Sequence, residues 1–545
     1  MAKFNRRKTR AAVGRGPITA TRAPGLTTHE GGPAFARDAR SELFLLAVAN
    51  FVGEDTFYER ADDRDARFAD LVRRVAVSDG EWLTGFIRWL RADAYMRSAS
   101  IVMAAEAVRA RVAAGRLAGN RTIIDAALQR ADEPGEFLGY WTSRFGRALP
   151  KAVKRGVSDA VWRLYTERNV LKYDTASRGW RFADVLELVH PTGTLRDSRG
   201  RQPIAGTFRA PLYRHVIDRR HGRGDAIPEE LTLLRRNAEL RAAAAEDPTA
   251  LLDAERLAAA GMTWEDVLSL AGPRLDKATV WEAMIPSMGI MALARNLRNF
   301  DDAEVSDAVA AQVAAVFTDP AGVARSRMFP YRWLAAYENV RSVRWAPALD
   351  AALRASLANL PALRGRTLIL VDTSASMTGI AFSRRSTMTP IKAAAVFGVA
   401  LAAKGERVDL HGFADGVFAH PVRRGASVIR EVDEFCRRVG EVGHGTQIPA
   451  ALRATYDDHD RVFVVSDMQT FPDHNGATVS RSVPATVPLY GVNLGGYRPA
   501  AIDAGSPNRI EFGGLSDAMF RVIPLIEAGK DAAWPWLAEP AGAAA

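Results

Sequence analysis

Cysteine is almost missing from this chain: Cys436 is the only one in 545 residues. A single thiol excludes an internal disulfide and a cysteine-rich zinc site, and it fits a reducing compartment, so a cytoplasmic location is expected. No apolar run reaches the roughly 18 residues that mark a membrane span, and the basic N-terminus lacks the apolar core of a secretory signal. Two catalytic signatures are also absent, the Gly-x-Ser-x-Gly elbow and the Gly-x4-Gly-Lys-Ser/Thr phosphate loop. His411, His420 and His444 have no spacing that pairs any of them with a nucleophile. The expectation is a protein that is not an enzyme.

Negative charge is scarce in two places. Residues 1–29 hold seven Lys or Arg and no acid, and residues 143–223 hold 18 basic against seven acidic residues. From residue 356 onward 19 basic residues balance 19 acidic ones, so the net charge of +10 belongs to the first two thirds. Two local positive fields on an otherwise balanced body point to a polyanion such as nucleic acid. The alternatives are a floppy tail and a solvated face.

Residues 1–35 are rich in Gly, Pro, Thr and Arg without periodicity and read as a basic disordered tail. Apolar residues three or four apart then recur from about 40 to 355, for instance Leu43, Phe44, Leu46, Ala47 and Phe182, Val185, Leu186, Val189. That spacing predicts amphipathic helices throughout. Many short helices without strands imply stacked helical pairs of the HEAT sort, or else a compact all-α domain. Residues 193–248 read as an irregular Arg-rich insertion with a helix near 229–246. After Pro361 strands alternate with helices, beginning with the apolar run 367–371, which predicts a doubly wound, mostly parallel α/β sheet. The expected domains are thus 1–35, 36–360 and 361–545.

That apolar run ends in Asp372-Thr-Ser374-Ala-Ser376, at a strand's C-terminal end where such sheets bind ligands. Gly443-His-Gly-Thr446 precedes a helix, and Val464-Val-Ser-Asp467 follows a buried strand. Together these loops resemble the metal-ion-dependent adhesion site of von Willebrand factor A domains: Asp-x-Ser-x-Ser, a loop Thr and a loop Asp, in that order. The resemblance implies that Ser374, Ser376 and Thr446 offer hydroxyl oxygens to a divalent metal ion, Mg²⁺ by preference, while Asp372 and Asp467 orient ligands or coordinate through water. Few direct carboxylates would leave the ion ready for an acidic group of a partner protein.

The helical half resembles the TROVE module of the Ro autoantigen family. Three stretches carry the likeness. The first runs from Gly146-Arg-Ala-Leu-Pro-Lys-Ala-Val-Lys-Arg through Leu171-Lys-Tyr to Gly179-Trp-Arg-Phe and His190-Pro. The second joins Thr263-Trp-Glu-Asp and Val280-Trp-Glu-Ala to Leu293-Ala-Arg-Asn-Leu-Arg. The third is Met328-Phe-Pro-Tyr-Arg-Trp. The order, a helical module and then an A domain with metal loops, is also that of the family.

The resemblance implies a ring of helical repeats joined at its ends by the A domain. It further implies binding of small structured Y-like RNAs and of single-stranded 3′ ends of misfolded RNA, with an exoribonuclease as a partner. Lys151, Lys154, Arg155, Lys172, Arg178, Arg181 and His190 fall in the family's RNA-contacting region. Trp180 reads as core, and Arg295 as a structural partner within the ring. The Lys172 to Trp180 spacing is one residue longer than the family pattern, so Ser177 and Arg178 compete for one position. Two readings follow: a non-catalytic RNA-binding protein, and a protein-binding adaptor that captures an acidic partner through the metal site.

Overall fold

The computed structural model describes residues 13–191, 194–195, 204–205, 209–224, 226–384, 386–423 and 425–537. The helical half opens with α1 (Ala39–Ala49), α2 (Ala61–Ser78), α3 (Gly80–Ala92), α4 (Arg97–Ala113) and α5 (Asn120–Ala127). It continues with α6 (Glu133–Phe145), α7 (Lys151–Leu164), α8 (Glu167–Tyr173) and α9 (Phe182–Val189). Side-chain caps set several starts: the Asp38 carboxylate accepts from the backbone N–H groups of Arg40 and Ser41, satisfying donors that α1 leaves open. Several helices pack on the one two along: α2 on α4, α3 on α5, α4 on α6, α5 on α7 and α7 on α9. This is the stacking of helical pairs that the apolar spacing predicts.

The helical half turns back on itself. Arg327 Nη1 donates to the Arg91 carbonyl at 3.2 Å, and the Phe329 ring meets Phe51 and Tyr95 from the first helices. The turn-back brings both ends of the helical half onto one α/β unit. Its sheet is β11-β9-β8-β5-β6-β7, where β5 is Arg366–Asp372, β6 Arg407–Phe413, β7 Val417–Ala419, β8 Arg461–Ser466, β9 Leu489–Asn493 and β11 Arg509–Gly513. All pairings are parallel except β6 with β7. α1 packs on β11 at one end of the helical half, and helices Pro330–Asn339 and Ala346–Ser356 pack on the unit's own helices at the other.

Two expectations change. Residues 1–12 of the expected tail lie outside the described residues, but residues 13–35 are not a disordered tail. Strands β1 (Ala20–Thr27) and β2 (Pro33–Arg37) form a hairpin, and β2 pairs antiparallel with β10 (Pro499–Ala500). Ala34 and Phe35 are buried there, and pairing with a strand more than 450 residues away leaves no local periodicity to read. Residues 193–248 lie partly outside the described residues. They hold a short hairpin, β3 (Thr194–Leu195) with β4 (Ile204–Ala205), and two helices, Ala210–Arg220 and Thr232–Glu246. The first helix was not expected, because its basic residues mask a narrow apolar face of Leu212 and Val216.

Candidate metal centre and nucleic-acid interface

Strand β5 is central in the sheet, with β6 on one side and β8 on the other. The chain leaves β5 toward β6 and later returns to β8, so the crevice between β5 and β8 is the switch point where ligands bind such sheets. Asp372 ends β5 and Asp467 follows β8, one on each wall. The Asp372 carboxylate accepts from the Ser374 N–H at 2.9 Å and from the Ser466 hydroxyl at 2.5 Å. Ser374 and Ser376 hydroxyls lie 3.2 Å apart. Asp467 accepts from the Gln469 N–H at 3.2 Å. Thr446 sits on the third loop, whose backbone carbonyls accept from Ala375 (His444 carbonyl, 2.9 Å) and Phe471 (Thr446 carbonyl, 2.9 Å). All five residues are buried.

The donor set suits a hard cation. Asp467 Oδ2 is buried with no hydrogen-bond partner. Burial pushes both carboxyls up, Asp372 to about 6 and Asp467, which also feels Asp372, to about 8. Two buried carboxyls that resist ionisation are what a cation would relieve. A cavity of about 20 Å³ touches Ser376 and Asp467, room for one water or ion. Among the described residues no group of three or more His, Cys, Asp or Glu is placed to hold a metal, so a cation here would rest largely on hydroxyls. Sequence reasoning missed the cover over this site. The Tyr58 hydroxyl, from the loop between α1 and α2, donates to the Glu30 carboxylate of the N-terminal hairpin and lies beside Ser376. Nothing local in the sequence marks Tyr58 or Glu30, which reach the crevice only through the fold.

On the helical half, α7 starts after Pro150 and buries Val153, Val157, Ala160 and Val161. Gly156 lies so close to α5 that a Cβ there would stand 2.8 Å from Ile124 Cβ. That commits the inner face, and Lys151, Lys154 and Arg155 point away from it. Lys151 and Arg155 are exposed and Lys154 is half-buried. Among the described residues none of the three meets a carboxylate, and the first turn of α7 holds no acid. Three cations at a helix N-terminus oppose its dipole, so their place there works against local stability.

Lys172 closes α8, also without a carboxylate, its ammonium 5.3 Å from the Tyr173 ring centre. Arg178 is exposed and stands loosely between Asp132 at 3.4 Å and Glu136 at 3.6 Å. Arg181 is differently employed. Its N–H donates to the Asp184 carboxylate to cap α9, and its guanidinium lies 3.2 Å from the Asp174 carboxylate, which Arg219 also bonds. His190 ends α9 in the left-handed region at φ 49°, with its ring exposed. Because α9 packs on α7, these seven residues share neighbouring elements; of them, Lys151, Lys154, Arg155 and Lys172 are the cations without an acidic partner among the described residues.

Two sequence readings are corrected here. Trp180 is not core but half-buried. It lies on Gly135 and Gly139 of α6, where a Cβ would stand 3.0 and 3.1 Å from it, and it lines cavities on two sides. Arg295 is exposed and makes no ion pair among the described residues, because Leu293, Ala294, Leu297 and Phe300 take the buried face of its helix. Exposed Arg147, which sequence reasoning left out of the site, lines a cavity of about 360 Å³ with Trp180 and Arg220. Its place in the basic run 144–155 was the available signal.

Residues 257–352 match the TROVE domain family. No curated protein matches the chain. Among solved structures the chain is similar to the crystal structure of the Deinococcus radiodurans Ro (RSR) protein, at 17% identity and a TM-score of 0.58. The similarity covers 90% of this chain and 100% of that one, and it carries the fold: a helical half with many helices and an α/β sheet after it. No helix among the described residues is long and apolar enough to cross a membrane.

Proposed function

We propose that this Ro-like, TROVE-bearing chain is an RNA-binding protein without catalysis of its own. It takes small structured, Y-like RNAs and single-stranded 3′ ends of misfolded RNA in quality control, maturation or decay, with an exoribonuclease as its companion. The observation that carries this reading is the set Lys151, Lys154, Arg155 and Lys172. Among the described residues of this region most arginines are matched to a carboxylate, and these four cations are not. Unmatched cations neutralise phosphates without first giving up an internal partner, and phosphate neutralisation supplies most of RNA affinity.

Filter binding of a small structured RNA with a single-stranded 3′ tail, at rising salt, tests the reading. Affinity should fall steeply with salt. Lys151→Glu/Lys154→Glu/Arg155→Glu should weaken binding and reduce the slope by about two, at roughly 0.7 per single-stranded phosphate. No binding at low salt would sink the proposal.

A second reading belongs to the α/β half, and the unpartnered Asp467 Oδ2 favours it. Ser374, Ser376 and Thr446 would hold Mg²⁺ through hydroxyls, with Asp372 and Asp467 beneath, as in a von Willebrand factor A domain. The ion would supply a site for an acidic group of a partner protein. Asp372→Ala should then abolish Mg²⁺-dependent partner capture and leave RNA affinity unchanged. Loss of RNA affinity instead would tie the site to the first reading.

A further inference from the structure

Trp180 stands between two cavities, and the smaller one has a different chemistry from the basic surface around it. Its volume is about 160 Å³, and Tyr165, Tyr173, Trp180 and Phe182 form its walls with Asp132 and Arg178. Tyr165 and Phe182 stack face to face at 3.7 Å and 9°, which makes a rigid floor. Cations flank Tyr173, with the Arg130 guanidinium 5.4 Å from its ring and the Lys172 ammonium 5.3 Å away. An apolar cavity of nearly this size accepts one benzene ring.

Two buried polar atoms of residues that line this cavity lack partners among the described residues. The Tyr165 hydroxyl is buried and makes no hydrogen bond. Asp132 Oδ1 accepts none either; Arg130 Nε lies 3.4 Å away without bonding geometry. A buried donor and a buried acceptor left open each carry a penalty that native structures rarely keep without use. The Oδ2 of the same carboxylate is held by Arg97 at 2.9 Å and more loosely by Arg130 Nη2 and Arg178, each at 3.4 Å.

We infer that this cavity is a binding pocket for one unpaired pyrimidine base of RNA. The inference rests on the RNA-binding reading above and deepens it. A single aromatic ring fits the volume and stacks on the aromatic walls, as single-stranded bases do. Its hydrogen-bonding edge offers what the two open atoms lack. A ring N–H or amino group donates to Asp132, and a ring carbonyl accepts from Tyr165. Arg178 is the gate: its long contacts to Asp132 and Glu136 give way, and its guanidinium turns to the phosphate of the bound nucleotide. Lys172 and Arg130 hold the neighbouring phosphates.

The test uses the full chain and single-stranded oligoribonucleotides of equal length, oligo-U, oligo-C and oligo-A. Oligo-U or oligo-C should bind more tightly than oligo-A, and Tyr165→Phe should weaken only the pyrimidine oligomers, about fivefold for one hydrogen bond. The same variant should melt at or above the parent's temperature, because it removes a hydroxyl with no partner in the free protein. A merely structural Tyr165 would lower it. In the unaltered protein, 4-thiouridine in the oligomer should crosslink to the peptide carrying Tyr173 or Trp180. Equal affinity for all three oligomers, or a crosslink elsewhere, overturns the pocket while leaving RNA binding intact. Loss of every oligomer at low salt overturns both.

Discussion

Arg37 and Glu511 form a fully buried bidentate pair, Nε to Oε2 at 2.9 Å and Nη2 to Oε1 at 2.6 Å. Asn493 adds a third bond to the same carboxylate at 2.9 Å, and Arg37 Nη1 donates to the Tyr497 carbonyl at 2.7 Å. The pair fastens strand β2, from the N-terminal segment, to edge strand β11. Removing one partner would strand the other charge in a dry site, at a cost of about 3–5 kcal/mol. Arg37→Ala should therefore lower the urea midpoint clearly, whereas Arg37→Met/Glu511→Leu should recover most of the loss, since an apolar pair of similar volume is close to neutral there. An unshifted midpoint for Arg37→Ala would mean that the hairpin is not fastened through this pair.

That pair also marks the limit of what could be read along the chain. The α/β half was legible almost residue by residue. Helix Pro390–Lys404 is a near-continuous apolar run buried almost all round, and strand Arg407–Phe413 buries mainly its C-terminal half, so both stand out locally. The same holds for α9, whose Phe182, Val185, Leu186 and Val189 are all buried. The hairpin 20–37 was not legible, since its order comes from β10 and Glu511 and not from its own residues. At the candidate sites the residue types in the loops were readable. Which cations are spent on partners was not: Arg181 and Lys151 look alike in sequence and differ only in whether a carboxylate stands beside them.

The contrast between Arg181 and Lys151 is testable. Arg181 bonds Asp174, and Asp174 Oδ1 also accepts from the Phe182 N–H at 2.9 Å, so the pair helps to start α9. Its side chain is only 19% exposed, which keeps solvent screening modest. Arg181→Ala should lower the melting temperature by about 1–3 °C, as a loss of about 1–2 kcal/mol does in a chain of this size, and change RNA affinity little. Lys151→Ala should do the reverse, since it leaves no partner open and relieves an unfavourable position at the start of α7. Melting curves and filter binding on the two variants decide. Equal RNA losses would mean that Arg181 leaves Asp174 when RNA binds.

The buried carboxyls of Asp372 and Asp467 make stability depend on pH. Both hold their protons above the ordinary value of 3.8, with Asp467 raised to about 8 by burial and by its neighbour. Between about pH 4 and pH 8 the folded chain therefore binds more protons than the unfolded one, and stability falls as pH rises through that window. A cation favours the ionised pair and acts in the opposite sense. Without Mg²⁺ the melting temperature should drop from pH 5 to pH 8, and the increment given by Mg²⁺ should grow over the same range. Asp467→Asn should remove most of the drop. A flat Mg²⁺ increment across pH would separate the cation from these carboxyls.

Tyr58 gives the sharpest test of whether Ser376 faces a metal. The hairpin turn beside it is tied to the Asp467 loop: the Thr28 hydroxyl donates to the Thr470 carbonyl at 2.6 Å, and the His29 N–H donates to Gln469 at 2.8 Å. The His29 ring then stacks on Tyr58 at 4.9 Å and 7°, holding the phenol over the crevice, where its hydroxyl donates to Glu30 and lies beside Ser376. A cation on Ser376 competes with the Tyr58 hydroxyl beside it. Tyr58→Phe keeps the stacked ring and removes that hydroxyl, a competitor worth about 0.5–1.5 kcal/mol if it engages Ser376, so Mg²⁺ should bind roughly three- to tenfold more tightly by calorimetry. Unchanged affinity would show that Ser376 takes no part in holding the ion, and weaker affinity that the phenol oxygen is itself among the groups that hold it.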